Sequence, residues 1–216
     1  MNLEPGSSEY GPRFASLWTQ ADSTADWKPV YEQLVASYSE PWRHYHSFRH
    51  IAHCLREFDL AQAFMESANA VQMALWFHDA VYVPGARDNE VRSADYFSLL
   101  SQGRFSASFE DQVRGLILIT EHVNPPTTQA ERYMVDIDLS PFGIPWEHCL
   151  EDSKRVRREL DMIPDNEYFQ ANIRFLQALT RRPHLYQTEH FRDRYEHSAR
   201  ANIGRLLQQI KATGRL

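Results

Sequence analysis

A chain of 216 residues, 43% of them hydrophobic, is long enough to bury a sizeable core and too apolar to be a disordered polymer. Its net charge of −6 gives no general attraction to phosphate polymers, so nonspecific nucleic-acid binding is not expected, although a local basic pocket for one small phosphorylated ligand is compatible with it. No apolar run approaches the roughly 20 residues of a membrane span, and the opening MNLEPGSSEYGPRF lacks a charged-then-apolar leader. Cys54 and Cys149 form no CxxC pair. The expectation is therefore a soluble, cytoplasmic protein with two free thiols.

Residues 1–11, polar with Gly and Pro, read as a loose tail. From Phe14 onward helical spacing dominates. Pro and Gly punctuate it at Pro41, Pro84-Gly85, Pro125-Pro126, Pro141 to Pro145, Pro164 and Pro183. The stretches between them predict helices over 14–21, 26–38, 46–65, 67–83, 89–102, 107–122, 128–139, 145–162, 166–181 and 188–212. Phe48, Ile51, Ala52, Leu55 and Phe58 follow the 3.6-residue period in the third, and Tyr195, Ala199, Ile203, Leu206 and Ile210 in the last. No two-residue alternation is long enough for a sheet, and no composition shift marks a second domain. The fold class is all-α, a bundle of about eight to ten helices in a single domain over 1–216.

Three segments carry chemistry. His46, His50 and His53 stand at i, i+4 and i+7, one stripe of a helix, so that two imidazoles could converge on one ion or ligand; a hydrogen-bonded histidine cluster is the other reading. His78-Asp79 lies within the apolar ALWFHDAVY, where an imidazole and a carboxylate are costly unless paired or metal-bound. Asp136 and Asp138 lie within YMVDIDLSPFG. On a helix they point about 200° apart, so only one should face a shared metal.

Taken together, His…His-Asp…Asp on three helices resembles the HD superfamily of metal-dependent phosphohydrolases, and more narrowly a bacterial family of HD-type phosphohydrolases. The resemblance covers most of the chain. It runs through Arg43–Ile51, Trp76–Tyr82, Asp88–Ala94, Asp136–Leu139, Arg157–Glu159 and Ala199–Asn202. It implies an HD-domain helical bundle with His50, His78, Asp79 and Asp138 as metal ligands, and Asp136 as a supporting or structural group. Tyr45-His46-x-x-x-His50 is similar to a motif of cyclic-nucleotide phosphodiesterases, with Ser47 where those enzymes have Asn; this implies His46 as proton donor. Two imidazoles with two carboxylates suit a divalent ion: Mn, Fe, Co, Ni, Zn or Mg.

Around that core, Glu90 reads either as a group that orients or deprotonates water or as a favourable acid in a helix first turn. Arg43 and Arg157 are candidate phosphate contacts, as is Arg200, with salt bridges as the alternative. His122 could hold a second metal or simply end a helix. The implied function is hydrolysis of a small phosphorylated molecule, plausibly a nucleotide, by metal-activated water. Alternatives are a di-iron oxygenase, which needs extra ligands such as His122, and a non-catalytic ligand-binding domain. No membrane partner is expected, and a homodimer is left open.

Overall fold

The structure, a computed structural model, describes residues 7–20 and 24–216, apart from the side chains of Ser7 and Ser8. Among the described residues there are ten α-helices and no strands. They are α1 (Ser7–Trp18), α2 (Lys28–Tyr38), α3 (Phe48–Ala61), α4 (Ala68–Phe77), α5 (Asn89–Ser101), α6 (Ala107–Leu118), α7 (Gln129–Leu139), α8 (Trp146–Glu159), α9 (Asp165–Arg181) and α10 (Glu189–Thr213), with 3-10 turns at Gln62–Phe64, Ile119–Glu121 and Ser140–Gly143. None is long and apolar enough to cross a membrane. The chain forms two compact units, one up to Met134 and one from Val135 to Leu216, and no shift in composition marks that boundary.

In the first unit α4 is the buried element. Seven of its ten residues, Ala70, Val71 and Met73 to Phe77, are in the core. The Trp76 ring is edge-on to Phe14 at 5.4 Å and to Tyr31 at 5.8 Å, and tilted against Phe48 at 6.1 Å. Such aromatic burial supplies much of the driving force for docking α1, α2 and α3 against α4. It also explains α1. The expected loose tail is helical from Ser7, because Tyr10 packs its ring on Phe48 (5.6 Å) and Trp76 (6.4 Å); residues 1–6 lie outside the described residues.

Two helix ends differ from the sequence reading. The helix expected over 46–65 begins only at Phe48, with Ser47 extended at its N-cap, so His46 precedes the helix. The helix expected over 67–83 ends at Phe77, with His78 as its C-cap. Beyond it, side chains take the backbone groups that a helix would pair internally. Arg43 donates to the carbonyls of Asp79 (2.6 Å) and Ala80 (3.1 Å). Ser93 Oγ pairs with both N–H and C=O of Val81, and the Asn89 amide with both of Val83. Asn89 and Ser93 are one turn apart on α5, so one face of that helix holds both valines.

The second unit is organised by α10. Its Asn202 donates to the carbonyls of Phe142 and Ile144 (both 2.8 Å), and Ser198 donates to that of Gly143 (2.8 Å). Gly143 is required there, because a Cβ on it would stand 2.5 Å from Cβ of Tyr195. Glu196 accepts the N–H groups of Leu185 and Tyr186. Arg200, a candidate phosphate contact, is turned to the same loop: it pairs with Glu196 and donates to the carbonyls of Thr180, Arg182 and Pro183.

Gly143→Ala is expected to destabilise the protein by about 1–3 kcal/mol, the usual range for overpacking. The urea midpoint should fall with the m-value unchanged. An unaltered midpoint would mean that the turn relaxes away from Tyr195.

Candidate metal centre

His50 lies on the inward face of α3, and Cys54 follows one turn later on the same face; both are buried. His78 ends α4, and Asp79 follows on the turn that Arg43 holds. His50 Nε2 stands 3.3 Å from His78 Nε2, and Asp79 Oδ2 stands 3.1 Å from His78 Nε2 and 3.6 Å from His50 Nε2. Donors about 2.1 Å from one ion are about 3.0 Å apart at right angles and about 3.4 Å apart at tetrahedral angles. The three separations match that spacing. One ligand atom each from His50, Cys54 and His78 also lie within 4.8 Å of one another. This buried group of His, Cys and Asp side chains could hold a metal ion. Among the described residues it is the one group of this kind.

The ring of His78 is prepared for the role. Its Nδ1 lies 3.0 Å from the carbonyl of Leu75, one turn back on α4, so Nδ1 carries a hydrogen and the ring is fixed with Nε2 toward Asp79 and His50. Asp79 is a carboxylate. Burial works against its charge, but His78, His46 and His50 together with the hydrogen bond from His78 outweigh it and hold its carboxyl well below the usual range.

Arg43 is buried and differs from the phosphate contact expected. Nε pairs with Glu40 at 2.8 Å, and Nη1 donates to the carbonyls of His46 (3.1 Å) and Asp79. Nη2 donates to that of Ala80. The guanidinium faces the rings of Tyr38 and Tyr82 at 5.3 and 5.4 Å. Its role is to tie the His46 segment to the His78-Asp79 turn.

His46 stacks on Tyr82 at 4.3 Å and meets Tyr45 edge-on at 4.9 Å, with its ring 6.2 Å from that of His50. Tyr45 also covers His50 at 4.9 Å. Trp76 and Phe77 are fully buried core residues, and Trp42 is exposed. Glu90 sits in the first turn of α5, beside the Asn89 clamp.

The two aspartates of α7 are separated as their spacing requires. Asp136 is fully buried and accepts hydrogen bonds from the N–H groups of Gln187 and Thr188 and from the Thr188 hydroxyl, each at 2.7 Å, at the start of α10. Asp138 stands two residues on, near the end of the same helix, and is half-buried.

Arg157, read as a phosphate contact or a salt bridge, makes the salt bridge and joins the α8–α9 connection. It pairs with Asp165 at 2.6 Å and donates to the carbonyls of Leu160 and Ile163. His122 is the C-cap of the turn after α6, with φ 56°, and is not in the convergent group. Cys54 is the residue the sequence reading passed over. Its signal was present as His50-x-x-x-Cys54, one helical turn, but the thiol was counted only against CxxC patterns.

Arg43→Met is expected to destabilise the protein by at least about 3 kcal/mol, because it strands buried carbonyls without donors. A urea midpoint equivalent to less than about 0.5 kcal/mol of change would show that water replaces the guanidinium.

Elemental analysis by mass spectrometry should find near-stoichiometric metal in the purified protein and only traces in the His78→Ala/Asp79→Ala variant. Asp138→Ala should lower metal content far more than Asp136→Ala, which should act on stability instead. Loss confined to Asp136→Ala would reverse the assignment.

Comparison of the chain with family models, with curated proteins and with solved structures finds no match in any of the three.

Proposed function

We propose that the chain is a metal-dependent hydrolase of a small phosphorylated substrate, a phosphomonoester or phosphodiester and plausibly a nucleotide, of the HD type that its motifs resemble. The observation that carries this reading is the spacing of His50 Nε2, His78 Nε2 and Asp79 Oδ2, all within 3.6 Å of one another. His50, His78, Asp79 and Asp138 would hold the ion, with the buried ring of His78 already fixed through its Nδ1. When bound, a divalent ion supplies Lewis acidity for phosphoryl transfer to water.

The rest is assigned to the protein's own groups. His46, outside α3 and held between Tyr82 and Tyr45, is the proton donor to the leaving oxygen. Its ring is oriented by aromatic faces, which fix the plane from which a proton would be passed. Glu90, at the end of the loop that Asn89 and Ser93 hold in place, is the candidate acceptor of the proton from water. Arg43 contributes indirectly, by setting the positions of His46 and Asp79.

The test is a screen of the metal-loaded protein against p-nitrophenyl phosphate, its bis ester and nucleotides. Turnover is expected, and His46→Gln should lower kcat by about 10²–10⁴-fold with metal content unchanged. Loaded protein that binds nucleotides but releases no product would overturn hydrolysis in favour of a ligand-binding domain. Two irons per chain with oxygen consumption would overturn it in favour of an oxygenase.

A further inference from the structure

We propose that Tyr38 is a positioning residue of the metal centre: its buried hydroxyl keeps the end of α4 unwound, so that His78 and Asp79 turn their donor atoms to one ion. The inference rests on the metal-centre reading above and adds to it a group that touches no ion.

The hydrogen bonds at the end of α4 create the need for such a group. The last regular one runs from the His78 N–H to the carbonyl of Ala74 at 2.8 Å. The Ala80 N–H then closes a tighter turn on Phe77 at 2.9 Å, so the Trp76 carbonyl that it would meet in a continuing helix is left over. Tyr38, the last residue of α2, donates its hydroxyl to that carbonyl at 2.9 Å. The Leu75 carbonyl, which a continuing helix would give to the Asp79 N–H, goes to His78 Nδ1. Two side chains thus stand in for the next two bonds of the helix. Without the Tyr38 hydroxyl the buried Trp76 carbonyl would be orphaned, and rewinding α4 would satisfy it. In a rewound helix His78 and Asp79 point about 100° apart, which draws their donors off a common ion.

Tyr38 is fully buried, and the Arg43 guanidinium lies over its ring at 5.3 Å. Phenylalanine would offer the same face and nearly the same volume, so packing does not account for the hydroxyl. Burial, together with the charge of Asp79, pushes the phenol well above its usual range, so the hydrogen it donates stays on oxygen at any ordinary pH. The Asp79 N–H faces the same oxygen, while Arg43 holds the Asp79 carbonyl at 2.6 Å. The two residues fix the backbone of Asp79 from both of its polar groups.

The experiment is a cobalt(II) titration of the chelator-stripped full chain, read by affinity and by the visible d–d absorption of the bound ion. Tyr38→Phe is expected to bind cobalt about 10–100-fold more weakly and with altered d–d bands, which a loss of stability alone would not produce. Tyr31→Phe is the control: it removes a hydroxyl from the same helix, from a ring that also packs on Trp76 (5.8 Å), and should keep both affinity and spectrum. If Tyr38→Phe does not fold, wild-type protein decides by NMR. The Tyr38 hydroxyl hydrogen, shielded by burial, should show a nuclear Overhauser contact to the amide hydrogen of Asp79 and shift when zinc binds; no contact, or no shift, would overturn the proposal. Unchanged affinity and spectrum in Tyr38→Phe, or an equal loss in Tyr31→Phe, would overturn the role of Tyr38 and leave the centre intact. No cobalt bound by wild type would remove the centre itself and this proposal with it.

Discussion

A buried guanidinium cannot shed its charge, so whatever surrounds Arg43 must be built from oxygens and ring faces. The first unit supplies them from two separate stretches of chain. Arg43 reaches back to Glu40 and His46 in its own loop and across to Asp79 and Ala80 beyond α4. Removing a charge from water is costly, and that cost is offset only when nearly every donor is met. The arrangement therefore has little tolerance for drift. It fixes the end of α4 against the start of α3, the two places from which His78, Asp79, His46 and His50 project. The convergence of donors follows from a constraint set by a residue that need not touch the ion.

The other helix contacts extend the same logic. Asn89 and Ser93 use one face of α5 to hold Val81 and Val83, so the chain leaving Asp79 is pinned at two further points. In the second unit Asp136 does for α10 what Arg43 does for α4: one buried charged-type side chain gathers three donors at a helix start. Its carboxyl is pushed up to about 7, because burial outweighs those hydrogen bonds. Arg43 and Asp136 are thus each held in apolar surroundings by several hydrogen bonds to the backbone.

What was legible in the sequence follows from these contacts. Ten helices could be read from apolar period and punctuation, since burial of one face leaves a periodic trace. The helix ends at Phe48 and Phe77 were not legible. The apolar pattern does not mark where α4 stops; the turn is held by Arg43, far back in sequence, and by Asn89 and Ser93 at the start of the next helix. Arg43, Arg157 and Arg200 stayed open between phosphate contact and a surface or salt-bridge role for the same reason. A sequence shows a cation and not the carbonyls around it, and all three arginines are satisfied by backbone oxygens at loops. The unit boundary after Met134 is equally silent, for it falls inside the continuous helix α7.

Cys54 was illegible for a different reason. Cysteine is among the most buried residue types without any ligand role, so its position on the apolar face of α3 looks like packing. Only the positions of the other donors change its meaning. His50 and Cys54 are fixed to each other by one helical turn, whereas His78 and Asp79 are brought to them by the Arg43-held turn. Any ion between them would be met by His50 from the rigid face of α3 and by His78 and Asp79 from the adjustable turn after α4, so the turn must match the helix.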